Sequence, residues 1–167
     1  NVPKIEVPLA DDLSVDYRDY LDLDASILLA NPNAPTGTCL PVGQIEQIVR
    51  ANPDRLVIID EAYIDFGGES CVPLIAKYDN LLVFQTFSKS RSLAGARLGF
   101  GIGSEAVIRD LNTVKYSINP YNVNRMTQAV GVAAIEDDAY YKANAQTIQE
   151  TRERTARRLV ELGFTVL

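Results

Sequence analysis

The chain has 167 residues, of which 47% are apolar and 23% charged, enough for one globular domain with a sizeable core. A net charge of −6 disfavours nucleic acid as a partner, because phosphate backbones are held by clustered Lys and Arg. Histidine is absent, which removes imidazole-based triads and metal sites and leaves Lys, Tyr, Asp, Glu and Cys for proton transfer. Apolar runs stay well short of the roughly 18 residues of a membrane span, and no signal peptide is visible. Cys39 and Cys71 lie far apart without metal-ligand spacing and read as reduced thiols of a cytoplasmic protein.

Residues 1–25 are acidic and mixed, with a short amphipathic stretch, DYRDYLDL. SILLA (26–30) reads as a buried strand that ends in the Pro- and Gly-rich loop NPNAPTG. Pro41 can open a helix in which Ile45, Ile48 and Val49 recur at helical spacing. RLVIID (55–60) predicts a second strand, and a short helix is expected near 72–78. NLLVFQTF (80–87) and RLGFGIG (97–103) predict a third and a fourth strand. Ser104 is a natural N-cap for the helix that follows. Further helices are expected over 122–136 and 138–162, and FTVL is expected to open another strand.

Strands alternating with helices predict an α/β fold, a three-layer αβα sandwich around a mostly parallel sheet. Ligands of such sheets bind beyond the carboxyl ends of the strands. Three of those ends carry polar residues: Asn31 and Asn33, then Asp60 and Tyr63, then Thr86, Ser88 and Lys89. Lys89 in such a cleft could attack a carbonyl and form a Schiff base. Asp60 could pair with a buried cation such as a protonated pyridine nitrogen, with the Tyr63 phenol donating to an oxygen of the same ring. Thr86, Ser88 and Arg97 suit a phosphate, since hydroxyls and a planar guanidinium match its oxygens. Ala94, Gly95 and Ala96 leave room beside Arg97. Residues 101–106 match the dinucleotide pattern GxGxxA, but 111–135 contains no Asp or Glu to receive a ribose, which argues against a nucleotide.

NPNAPTG, IIDEAYIDF and TFSKSRSLAGARLGF, in this order and spacing, resemble the fold-type I pyridoxal-phosphate aminotransferases. With PYNVNRMTQA (120–129) the likeness covers nearly the whole chain and is greatest to the branch acting on histidinol phosphate. The resemblance implies pyridoxal 5'-phosphate as cofactor and Lys89 as the lysine that bonds it and moves the proton. It further implies Asp60 on the pyridine nitrogen, Tyr63 on the ring oxygen, and Thr86, Ser88 and Arg97 around the phosphate. Where the family has a second ring-oxygen ligand, an asparagine directly before the PTG proline, this chain has Ala34, so Asn33 is expected to take that place or Tyr63 to act alone.

The same resemblance implies an amino donor and a 2-oxo acid as substrates, and a homodimer. Family members are about twice as long, and the chain starts at Asn1 and stops in an apolar run. We therefore expect a fragment: 1–137 from the centre of the large domain, 138–162 a connecting helix, and 163–167 the start of a small domain. Related aromatic aminotransferases and phospho-amino-acid decarboxylases share these residues, and the fragment alone could be non-catalytic.

Overall fold

The computed structural model describes residues 3–166. Strands β1 (Ile27–Ala30), β2 (Val57–Asp60), β3 (Leu81–Thr86) and β4 (Gly99–Gly103) form one sheet in the order β1-β2-β3-β4. The first three are parallel, with Ala30 opposite Asp60 and Asp60 opposite Phe84. Their carboxyl ends therefore lie level, as the convergence of polar residues requires. β4 runs antiparallel to β3, with Gly99 opposite Thr86.

Helix α1 (Val42–Ala51) buries Ile45, Ile48 and Val49 against Ile27, Leu29, Val57, Ile59, Leu81 and Val83. Alternation along β1 and β2 sends these strand residues to one face (the pleat has a period of two). The tyrosines of the DYRDYLDL stretch, a 3-10 turn at Tyr17–Tyr20, pack on the rim of that core. The segment expected to be helical near 72–78 is a 3-10 turn, Val72–Ala76, with Leu74 buried.

The opposite face of the sheet carries Leu82, which is fully buried, and Leu28, which is exposed. Helix α2 (Glu105–Ile118) covers part of it, with Val107 close to Gly103 and Leu82. Ser104 caps α2 as expected, its hydroxyl accepting from Val107 N. The glycines of the GxGxxA segment serve packing. A Cβ at Gly101 would stand 3.0 Å from the Phe84 ring, so this edge strand needs glycine to lie against β3.

Helices α3 (Arg125–Glu136) and α4 (Asp138–Glu161) follow the expected ranges closely. Residues 164–166 form no strand, contrary to the expectation for FTVL, because among the described residues no neighbouring strand offers them a ladder of hydrogen bonds; Leu167 lies outside the described residues.

Candidate active site

After β1 the chain folds back on itself. Buried Asn31 donates to Leu40 O (3.1 Å) and accepts from Leu40 N (2.7 Å), which staples the two ends of the loop together. Within the loop, Gly37 adopts φ +74° and donates to Asn33 O, while Asn33 N donates to Thr38 O. The Asn33 amide is turned inward, Nδ2 donating to Thr36 Oγ1 at 2.7 Å. The second hydrogen of that nitrogen is left for a ligand.

Asp60 ends β2, half-buried, with Oδ1 accepting from Ala62 N at 3.0 Å. That bond turns the chain sharply and presents Tyr63 before the 3-10 turn Ile64–Phe66. Gly67 (φ +139°) and Gly68 (φ +111°) then carry backbone that residues with a Cβ rarely adopt, and Gly68 passes close to Cys39 Sγ. The β1 and β2 loops thereby touch. Between them opens a cavity of about 590 Å³, lined by the 32–37 loop, Tyr63, Gly67 and Arg152 among others.

At the end of β3, Thr86 Oγ1 accepts from Ser88 N (3.1 Å) and donates to Leu98 O (3.4 Å). Phe87 is buried, and Leu93 N donates to its carbonyl, so the 88–92 segment is a closed loop on a fixed base. Lys89 is exposed at its crest, with Nζ 4.9 Å from the centre of the Tyr63 ring. A cation over an aromatic face is attracted by the ring quadrupole. Arg97 holds left-handed backbone (φ 53°, ψ 42°), an uncommon conformation for a side chain of this size. Its exposed guanidinium bends back, Nη1 donating to Ala94 O at 2.9 Å.

The structure thus joins Lys89 to Tyr63 and Ser88 to Thr86, and sets Asp60 level between the ends of β1 and β3. Asn33 shares the cavity with Tyr63 while its amide bonds Thr36, and Arg97 Nη1 is engaged by Ala94 O. Lys89 Nζ, Tyr63 Oη and Ser88 Oγ have no side-chain or backbone hydrogen-bond partner among the described residues. An amine, a phenol and a hydroxyl at adjacent strand ends fit a small, phosphorylated, carbonyl-bearing ring.

The motif reading missed Glu61, which is only 1% exposed. Its carboxylate accepts from Ser70 Oγ (2.7 Å), Cys71 N (2.6 Å) and Gln85 Nε2 (2.8 Å), and so ties the end of β2 to β3. The acid pair Asp60-Glu61 was the available signal, since one of two consecutive acids at a strand end must face inward. Burial, and next the charge of Glu61, push the Cys71 thiol up to about 12, and burial also raises Cys39. Neither cysteine is poised as a thiolate, and among the described residues no cluster could hold a metal ion.

The sequence profile of the family described as aminotransferase class I and II matches residues 2–167, and the chain belongs to that family. Its similarity is high to histidinol-phosphate aminotransferases, including that of Brachyspira hyodysenteriae (53% identical over 98% of this chain and 47% of the relative). That of Lactococcus lactis subsp. cremoris is 48% identical over 99% of this chain and 46% of the relative. Among solved structures, the histidinol-phosphate aminotransferase of Sinorhizobium meliloti, in complex with pyridoxal-5'-phosphate, superposes with a TM-score of 0.82. It is 28% identical, over 95% of this chain and 45% of that one. The chain spans about half the length of the curated relatives it matches.

Proposed function

We propose that this chain forms the cofactor-holding centre of a pyridoxal-phosphate-dependent aminotransferase. The amino group of L-histidinol phosphate would pass to 2-oxoglutarate, as a step of histidine biosynthesis. The contact of Lys89 with Tyr63, at level strand ends shared with Asp60, carries the reading of the site. The names of relatives at 53% and 48% identity support the substrate.

The cofactor, when bound, supplies an electrophilic carbon and an electron sink. Lys89 Nζ would hold that carbon and afterwards carry the proton to and from the substrate Cα. Asp60 would pair with the pyridine nitrogen, using the carboxylate oxygen that Ala62 N leaves free. The Tyr63 hydroxyl would donate to the ring oxygen, and Asn33 would join it with the amide hydrogen that Thr36 does not take. Thr86, Ser88 and Arg97 would hold the phosphate, with Arg97 swinging away from Ala94 O. Arginine's fork suits that task whatever its resting position.

On this reading residues 1–137 belong to the large domain, 138–162 connect, and 163–167 open a small domain. The same reading makes the whole protein a cytoplasmic homodimer acting on small molecules.

The test is direct. Borohydride reduction of the full chain with pyridoxal phosphate should leave the cofactor's mass on the peptide containing Lys89. Histidinol phosphate with 2-oxoglutarate should yield glutamate, and Lys89→Ala should abolish both signals. Turnover that survives Lys89→Ala refutes the assignment. A preference for aromatic amino acids, or loss of carbon dioxide from a phospho-amino acid, refutes the substrate alone.

A further inference from the structure

Lys89 sits on the crest of a loop, and an exposed lysine on a loop is ordinarily free to wander. Here the residue after it is not exposed. Ser90 is 9% exposed, and its hydroxyl donates to Asp65 Oδ2 in a charge-assisted bond. Asp65 lies two residues beyond Tyr63 on the Ile64–Phe66 turn. The same two loops therefore meet twice, at Lys89 over Tyr63 and at Ser90 on Asp65. Arg91 anchors the far side, with Nη1 on Ala134 O (3.0 Å) and Nη2 on Asp138 Oδ1 (2.8 Å). Gln149 Nε2 of α4 in turn holds Asp65 O at 3.3 Å. Ser92 N closes the turn on Lys89 O (3.1 Å), with Ser92 itself in left-handed backbone (φ 52°).

We propose that Ser90 and Asp65 are positioning residues, whose hydrogen bond fixes the Lys89 amine over the Tyr63 ring. The consequence for catalysis rests on the proposed role of Lys89 as the residue that holds the cofactor. Neither positioning residue need touch cofactor or substrate. Their bond spans the two loops one residue from Lys89 and two from Tyr63, so it sets the separation of that pair directly. If the bond is lost, Arg91 still holds the loop to α3 and α4, but among the described residues no other hydrogen bond joins its crest to the Tyr63 turn, and the Lys89–Tyr63 contact is left without support.

The first measurement needs no cofactor. In NMR spectra of the full chain, the ε-methylene protons of Lys89 should be displaced upfield by the Tyr63 ring current. That displacement falls steeply with distance. It should collapse in Ser90→Ala and in Asp65→Ala, yet persist in Asp65→Asn, which keeps an acceptor oxygen while losing the charge. Asn52→Ala, which weakens the core remote from both loops, should leave it unchanged and so controls for lost stability alone.

With cofactor and substrates, Ser90→Ala should lower kcat by about tenfold to 100-fold with KM within about twofold, as expected for a misplaced reacting group. Asp65→Ala should lose as much, and Asp65→Asn should keep most of the wild-type kcat. An unchanged Lys89 displacement in Ser90→Ala, or an Asp65→Asn that behaves like Asp65→Ala, overturns the proposal. Wild-type chain that shows the ring-current displacement but never bonds the cofactor refutes the function proposed above and leaves the positioning role standing.

Discussion

Glu61 offers the sharpest test of how the strand ends are held together. Replacing it with alanine leaves three donors without their acceptor. Cys71 N lies in a wholly buried residue and cannot turn to water, a loss of about 1–3 kcal/mol. Ser70 Oγ and Gln85 Nε2 belong to half-buried residues and can partly rehydrate, adding on the order of 0.5–1 kcal/mol each. The whole change should therefore cost about 2–5 kcal/mol, a large share of the roughly 5–15 kcal/mol typical of a folded domain. Glu61→Gln should cost less, about 1–2 kcal/mol, because its amide keeps one acceptor and both the Ser70 hydroxyl and the Gln85 amide can turn to accept from it. Urea unfolding followed by circular dichroism measures both. If Glu61→Ala loses under about 1 kcal/mol, or if glutamine is as damaging as alanine, the three bonds do not carry the junction of β2 and β3.

Cys71 makes a prediction in pH. Its folded thiol is held up to about 12 against an ordinary value of 9.0, so the unfolded chain loses the proton first. The stabilising contribution is complete below pH 9 and fades as pH rises toward 12, and the slope should be shallower in Cys71→Ala when urea midpoints are compared across that window. Glu61→Gln should bring the thiol down only part of the way, since burial is the larger cause; alkylation rates of Cys71 against pH would show this. Asn52 is 4% exposed and donates to both Tyr20 O and Ile48 O at 2.8 Å. Asn52→Ala should cost about 1–3 kcal/mol in the same unfolding assay and loosen the Tyr17–Tyr20 turn from the end of α1. Stability equal to wild type would show that water replaces the amide.

Local pattern was enough for much of this protein. Short apolar runs closed by turn or polar residues marked all four strands to within a few residues, and Ser104 marked the start of α2, because burial and capping act on neighbours in sequence. The placement of Asp60, Tyr63, Ser88 and Lys89 at or just past strand ends was likewise readable, since each closely follows an apolar run. The reversed direction of β4 was not readable in that way. Hydrogen bonding to β3 settles strand direction, and the alternation of apolar residues is the same either way along a strand.

What tertiary structure alone decided concerns pairs far apart in the chain. Lys89 stands over Tyr63 because β2 and β3 are neighbours in register, a fact no single segment contains. The inward turn of the Asn33 amide onto Thr36 depends on how the loop closes, and the retreat of Arg97 to Ala94 O depends on a left-handed backbone. Glu61 and the Ser90–Asp65 bond were invisible for the same reason: their partners arrive through folding, across 24 residues to Gln85 and 25 to Asp65. Sequence chose which chemical groups stand at the strand ends. Packing of the sheet chose which of them face one another.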